Sequence, residues 1–104
     1  MLVVSRRILA DVDTGIDDAC ALIQLAGCGA ELAAVTTTGG NATARECALN
    51  TLGMLELLGL GHVEVAVGAE APLRRPPETT PETHGEGGIG YARVPHLPER
   101  LSGR

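Results

Sequence analysis

Strand-like and helix-like runs alternate over the first 68 of the 104 residues, and this alternation most narrows the possible fold. Arg7–Val12 (RILADV), residues 31–38 (ELAAVTTT) and residues 63–67 (VEVAV) read as strands, being short, aliphatic and rich in β-branched residues. Between the first two lies Asp17-Asp18 followed by ACALIQLA, which reads as a helix. Its acids suit the positive end of the macrodipole, and Gly27 and Gly29 are natural stops. Gly39-Gly40-Asn41 reads as a turn. Thr43-Ala44-Arg45-Glu46 then matches the capping box, which predicts a second helix to about Leu58. Ala44, Cys47, Ala48, Leu55 and Leu58 fall roughly on one face of it. Gly59 and Gly61 end it. The pattern β-α-β-α-β with short connections implies an α/β fold: an open, Rossmann-like parallel sheet.

Parallel strands bury both faces, and three strands with two helices cannot cover both well. After Gly68 the pattern stops. Residues 69–104 hold all six Pro and predict no regular helix or strand. The expected organisation is therefore a core at 1–68 and a Pro/Gly-rich loop and tail at 69–104, poorly ordered. The α/β fold is expected to be incomplete at its C-terminus.

Composition removes several function classes. With 44% hydrophobic and 20% charged residues the profile is globular. There is no Trp or Phe and one Tyr, so no aromatic platform exists for stacking single-stranded nucleic acid. The net charge is -5 and no Lys is present, which disfavours a phosphate backbone as partner. Cys20, Cys28 and Cys47 are odd in number and show no CxxC spacing, as expected of a reduced, cytoplasmic protein. The apolar run at residues 1–4 is too short for a signal peptide, and no stretch is long enough to span a membrane.

All four Asp lie between positions 11 and 18, in DVDTGIDD, whereas the nine Glu are spread over the rest of the chain. Asp11 and Asp13 fall at the carboxyl end of the first strand, and Asp17 and Asp18 open the first helix. In an open α/β sheet that crevice binds ligands, and Gly15 permits the turn that folds the two acidic pairs together. Carboxylates this crowded either hold a proton or surround a cation. A hard divalent ion, Ca²⁺ or Mg²⁺, suits a segment that lacks Cys and His. An EF-hand is excluded: started at Asp11 it meets Leu22 where Glu is required, and started at Asp13 it meets Asp18 and Gln24 where Gly and Glu are required. No GxGxxG is present, because Gly27-x-Gly29 and Gly59-x-Gly61 both lack the third Gly.

DVDTGIDDA (11–19) closely resembles the N-terminal signature of the inosine-uridine-preferring nucleoside hydrolases. TTTGGN (36–41) is similar to that family's second strand and Asn-bearing turn, and HGEGGIG (84–90) to its His-Gly loop. The resemblance implies Ca²⁺-dependent hydrolysis of the N-glycosidic bond of ribonucleosides to ribose and free base, as in purine and pyrimidine salvage. It implies that Asp13 is a Ca²⁺ ligand and the general base for water, and that Asp18 is a second Ca²⁺ ligand. Asp17, Asn41 and His84 would contact substrate: Asp17 a ribose hydroxyl, Asn41 the ribose or the ion, His84 the region of the base. Asp11 would lie behind the ligands and fix the cluster. Thr14 stands where the family often has Pro, and Gly87 where it often has Asp. Family members are much longer, so the chain is expected to be the N-terminal part of such an enzyme and inactive alone.

The chemistry agrees with the residues. Departure of the base builds positive charge on the sugar, which carboxylates stabilise. The expected partner is a ribonucleoside, with no nucleic acid and no membrane, and a homo-oligomer is compatible with the chain. Two other functions fit the acidic segment. One is a Mg²⁺-dependent phosphatase of the haloacid-dehalogenase type, with Asp11 as nucleophile and Asp13 as acid/base. The other is a non-catalytic Ca²⁺-binding or interaction fragment, whose third-strand edge is free to pair with a partner. His62 and His96 are expected to be solvated, and Cys20 and Cys47 to be small core residues.

Overall fold

In the computed structural model, which describes residues 6–85, 87–90 and 92–103, the elements follow the order the periodicity predicts. The apolar run at 1–4 and Glu86 of the His-Gly loop lie outside the described residues. Strand β1 is Arg7–Val12, helix α1 Ile16–Gly27, strand β2 Glu31–Thr37, helix α2 Ala44–Leu57 and strand β3 Glu64–Val67. The third strand begins one residue later than expected because the Val63 N–H closes a turn onto the Leu60 carbonyl.

The strands form one parallel sheet in the order β1-β2-β3. Asp11 pairs with Thr36 and Val12 with Thr37, and Thr37 pairs in turn with Val67. The carboxyl ends of the three strands therefore line up. Both helices pack against β2 and against each other, so they share one face of the sheet. Leu22, Leu32, Val35, Ala48, Leu52, Leu55, Val63 and Val65 fill that interface, with Ile8, Ala10 and Val12 packed at its side. The opposite face is open, and Leu9 there is 67% exposed. The α/β class is thus confirmed, with a single covered face.

α2 buries Ala44, Cys47, Ala48 and Leu55 as its spacing predicts. The capping box is complete: the Thr43 hydroxyl accepts from the Glu46 N–H, and the Glu46 carboxylate accepts from the Thr43 N–H. Cys20 corrects an expectation, since it lies on the exposed side of α1 while Cys47 is in the core.

The stretch beyond β3 is less featureless than predicted. It contains a one-turn helix α3 at Pro81–His84 and a 3-10 turn at Pro98–Arg100. The Thr80 carbonyl nucleates α3 by accepting from the N–H groups of Thr83 and His84. Near the end of the chain Arg100 pairs with Glu56 of α2 at 2.6 Å. The Ser102 N–H donates to the Val65 carbonyl at 2.8 Å. That bond corrects the expected free edge of β3, because the C-terminal strap occupies part of it.

Candidate active site

The site is built where β1 and β2 end. Asp13 is the first residue past β1, and α1 begins only three residues later. This tight connection brings Asp18, in the first turn of α1, back over Asp13, whose N–H donates to Asp18 Oδ2 at 3.1 Å. Asn41, in the connection from β2 to α2, closes the other side. Its N–H donates to Asp13 Oδ2 at 3.2 Å, and its Nδ2 donates to the Asp13 carbonyl at 2.9 Å. Two glycines make this approach possible. A Cβ on Gly40 would collide with the Asp13 carboxylate, and one on Gly15 would lie 2.5 Å from both Asn41 Nδ2 and His84 Nδ1.

His84 reaches the same place from α3. The N-cap of α1 is Gly15, which supplies no side-chain cap, and Asp18 is turned to Asp13 instead. His84 Nδ1 takes that role, accepting from the Ile16 N–H at 3.1 Å. A ring nitrogen that accepts carries no proton, so the neutral imidazole holds its proton on Nε2.

The carboxylates are under electrostatic pressure. Partial burial pushes the Asp18 carboxyl above its ordinary value. Its hydrogen bond with the Asp13 side chain and the charges of Asp13 and Asp17 push the same way, against a smaller opposing effect of the Asp13 N–H. A cation between Asp13 and Asp18 would relieve this crowding. The two carboxylates offer oxygen, which suits a hard divalent ion. Among the described residues no group of three or more His, Cys, Asp or Glu is placed to hold a metal. Asp13 and Asp18 are thus two adjacent carboxylates rather than a complete set of ligands.

The structure thus brings Asp13, Asp18, Asn41 and His84 together. Asp17 is an exposed neighbour on α1 that adds its charge to the pair. Asp11 goes elsewhere. Alternation along β1 turns it to the same side as Leu9, and its Oδ1 accepts from Thr36 Oγ1 at 2.7 Å. Asp11 thus bonds across the strand pair rather than to Asp13 or Asp18.

Three sets of supporting contacts escaped the sequence. Thr80 holds Asn41 twice, through its N–H to the Asn41 carbonyl at 3.2 Å and its hydroxyl to Asn41 Oδ1 at 3.4 Å. The buried hydroxyls of Thr14 and Thr51 lie 2.7 Å apart and pin the acidic loop to α2. Glu70 accepts from the N–H groups of Ala44 and Arg45. None of these has a local signal, because each partner is distant in sequence.

The profile of the inosine-uridine preferring nucleoside hydrolases matches residues 8–103, nearly the whole chain. The chain belongs to this family. It is 43% identical over 96 residues to the pyrimidine-specific ribonucleoside hydrolase RihA of Shewanella baltica, which covers 91% of the chain but 29% of that protein. It is 35% identical over 91 residues to the inosine-uridine preferring nucleoside hydrolase of Crithidia fasciculata, again 86% of the chain and 29% of the relative. Among solved structures, a purine-preferring ribonucleoside hydrolase from Gardnerella vaginalis superposes with a TM-score of 0.81 at 30% identity, over 96% of this chain and 33% of that one. The chain thus spans about a third or less of each of these nucleoside hydrolases, and Asp13, Asp18, Asn41 and His84 all fall inside the residues that match the family profile.

Proposed function

We propose that this chain carries the ion- and ribose-binding part of a nucleoside hydrolase, which hydrolyses the N-glycosidic bond of ribonucleosides with the help of Ca²⁺. The observation that carries this is the convergence of Asp13, Asp18 and Asn41 at the carboxyl edge of a parallel sheet in a member of that family. Asp13 and Asp18 would hold the ion. When bound, Ca²⁺ would grip the vicinal ribose hydroxyls and lower the pKa of a coordinated water.

The chain's own residues would do the rest. Asp13, oriented by both donors of Asn41, takes the proton from the attacking water as that water adds to the anomeric carbon. Asp17, free at the surface of α1, accepts from a ribose hydroxyl. The negative charge of the three aspartates stabilises the cationic sugar as the C–N bond opens. His84, whose Nδ1 is engaged at α1, would offer its other ring nitrogen to the substrate near the base. An uncharged nucleoside meets no repulsion from a chain of net charge -5, unlike a free nucleotide.

The setting we propose is nucleoside salvage in the cytoplasm, a reducing compartment with which three free cysteines are compatible. No helix among the described residues is long and apolar enough to cross a membrane. Among the described residues β1 pairs with β2 alone, and a second copy could pair at its outer edge.

Calorimetric titration with Ca²⁺, followed by ribose, tests the proposal. The chain is expected to bind the ion, and ribose only once the ion is bound, with both signals lost in Asp13→Ala. Unchanged Ca²⁺ affinity in Asp13→Ala would remove the metal-site assignment.

A further inference from the structure

We propose that Glu70 is a positioning residue for Asp13, acting through the Asn41 turn that it and Ala69 clamp from both ends. The first N–H groups of a helix need partners from outside the helix. In α2 the capping box supplies them for Thr43 and Glu46. Ala44 and Arg45 are served by Glu70 instead, from the loop past β3: Oε2 accepts from the Ala44 N–H at 3.0 Å and Oε1 from the Arg45 N–H at 3.2 Å.

The same loop grips the other end of the turn. The Gly39 N–H donates to the Ala69 carbonyl at 2.8 Å. The backbone packs so closely that a Cβ on Gly39 would lie 2.5 Å from the Glu70 carbonyl oxygen. Gly39 and Ala44 are therefore both fixed to residues 69–70, and Asn41 sits between them with its two bonds to Asp13.

Helix initiation alone does not require Glu70, since a complete local cap is already present. Ala44 is fully buried while Glu70 is exposed, so water can replace a lost carboxylate at the Ala44 N–H but cannot tie it to the loop past β3. Without Glu70 the turn is held at its Gly39 end alone, and Asn41 gains freedom to move. Loss of the Thr43 cap exposes a donor at the surface instead and leaves the clamp intact.

Amide hydrogen exchange on the full chain, read by NMR at Asn41 and Ala44, separates these roles in Glu70→Ala, Glu70→Gln and Thr43→Ala. Both Glu70 variants are expected to speed exchange at Asn41 strongly, and Thr43→Ala to leave it close to wild type. If Glu70→Ala does not fold, Glu70→Gln, which keeps one acceptor, carries the comparison. Exchange at Asn41 that is unchanged in the Glu70 variants, or equally fast in Thr43→Ala, overturns the proposal. A Ca²⁺ titration extends it and rests on the proposed function: Glu70→Gln should weaken the ion about tenfold or more, as loss of a group supporting metal ligands does, with Thr43→Ala unaffected. A wild-type chain that binds no Ca²⁺ would sink the proposed function, while the exchange comparison would still decide the part played by Glu70.

Discussion

Asn41 holds Asp13 at two atoms at once, its N–H on the carboxylate at 3.2 Å and its Nδ2 on the main-chain carbonyl at 2.9 Å. The carboxylate can then neither rotate nor slide along the strand axis without breaking a bond. Asn41→Ala keeps the first bond and removes the second. It should cost about 1 kcal/mol of stability and weaken Ca²⁺ about 10- to 100-fold. Chemical unfolding and calorimetry on the same preparation check both, and an ion affinity equal to wild type would show that Asn41 does not orient Asp13.

Features encoded over a few residues were legible in the sequence. β1 was recovered at both ends, and the Thr43–Glu46 box marked the start of α2 because its two reciprocal bonds span only three residues. Asp13, Asp18 and Asn41 stood out through a local acidic cluster and a Gly-Gly-Asn turn. The supporting contacts were not legible because they depend on packing between distant segments. His84 meets Ile16 across 68 positions and Thr14 meets Thr51 across 37. α3 is one turn long, too short to show periodicity, and it exists because Thr80 supplies its first acceptor. Asp11 was grouped with its neighbours by proximity in sequence, whereas strand alternation sends it to Thr36.

Asp18 gives a pH signature. Its carboxyl is raised in the folded chain by burial first, then by Asp13 and Asp17. The folded state therefore binds a proton more tightly than the unfolded state. This contribution to stability is full below the unfolded value of about 3.9 and is lost as the pH rises through the raised folded value. At neutral pH without divalent ions the charged Asp18 is a burden. Asp18→Asn should raise the melting temperature in chelator while abolishing Ca²⁺ binding. The gain should shrink as the pH is lowered into the carboxylate range. A lower melting temperature in chelator would show that Asp18 is not strained by its neighbours.

The cysteines divide by environment. Burial pushes the Cys47 thiol up to about 11, and the residue is fully enclosed in α2. Cys20 and Cys28 are exposed. A thiolate-seeking reagent at mildly alkaline pH should label Cys20 and Cys28 quickly, and Cys47 only at the rate of unfolding or after denaturant is added. Mass mapping of the labelled peptides checks the assignment. Rapid native labelling of Cys47 would mean that α2 does not pack as described.

Thr14 and Thr51 form a directed pair in the core. The Thr51 hydroxyl donates to the Cys47 carbonyl at 2.8 Å, so its oxygen accepts from Thr14 at 2.7 Å. Both side chains are fully buried. Removing one hydroxyl strands or weakens the other, whereas removing both leaves two apolar groups of similar shape in contact. Thr14→Val and Thr51→Val should each cost about 1–3 kcal/mol, and the double variant less than their sum. The difference should appear as a coupling of about 0.5–3 kcal/mol in a double-mutant cycle. Thr14 lies between Asp13 and Gly15, so its anchor also sets where the acidic loop sits over α2. Thr14→Val should therefore weaken Ca²⁺ more than a core change such as Leu55→Ala, one turn further along α2 from Thr51. Equal losses in the two variants would reduce the Thr14–Thr51 pair to a matter of stability alone.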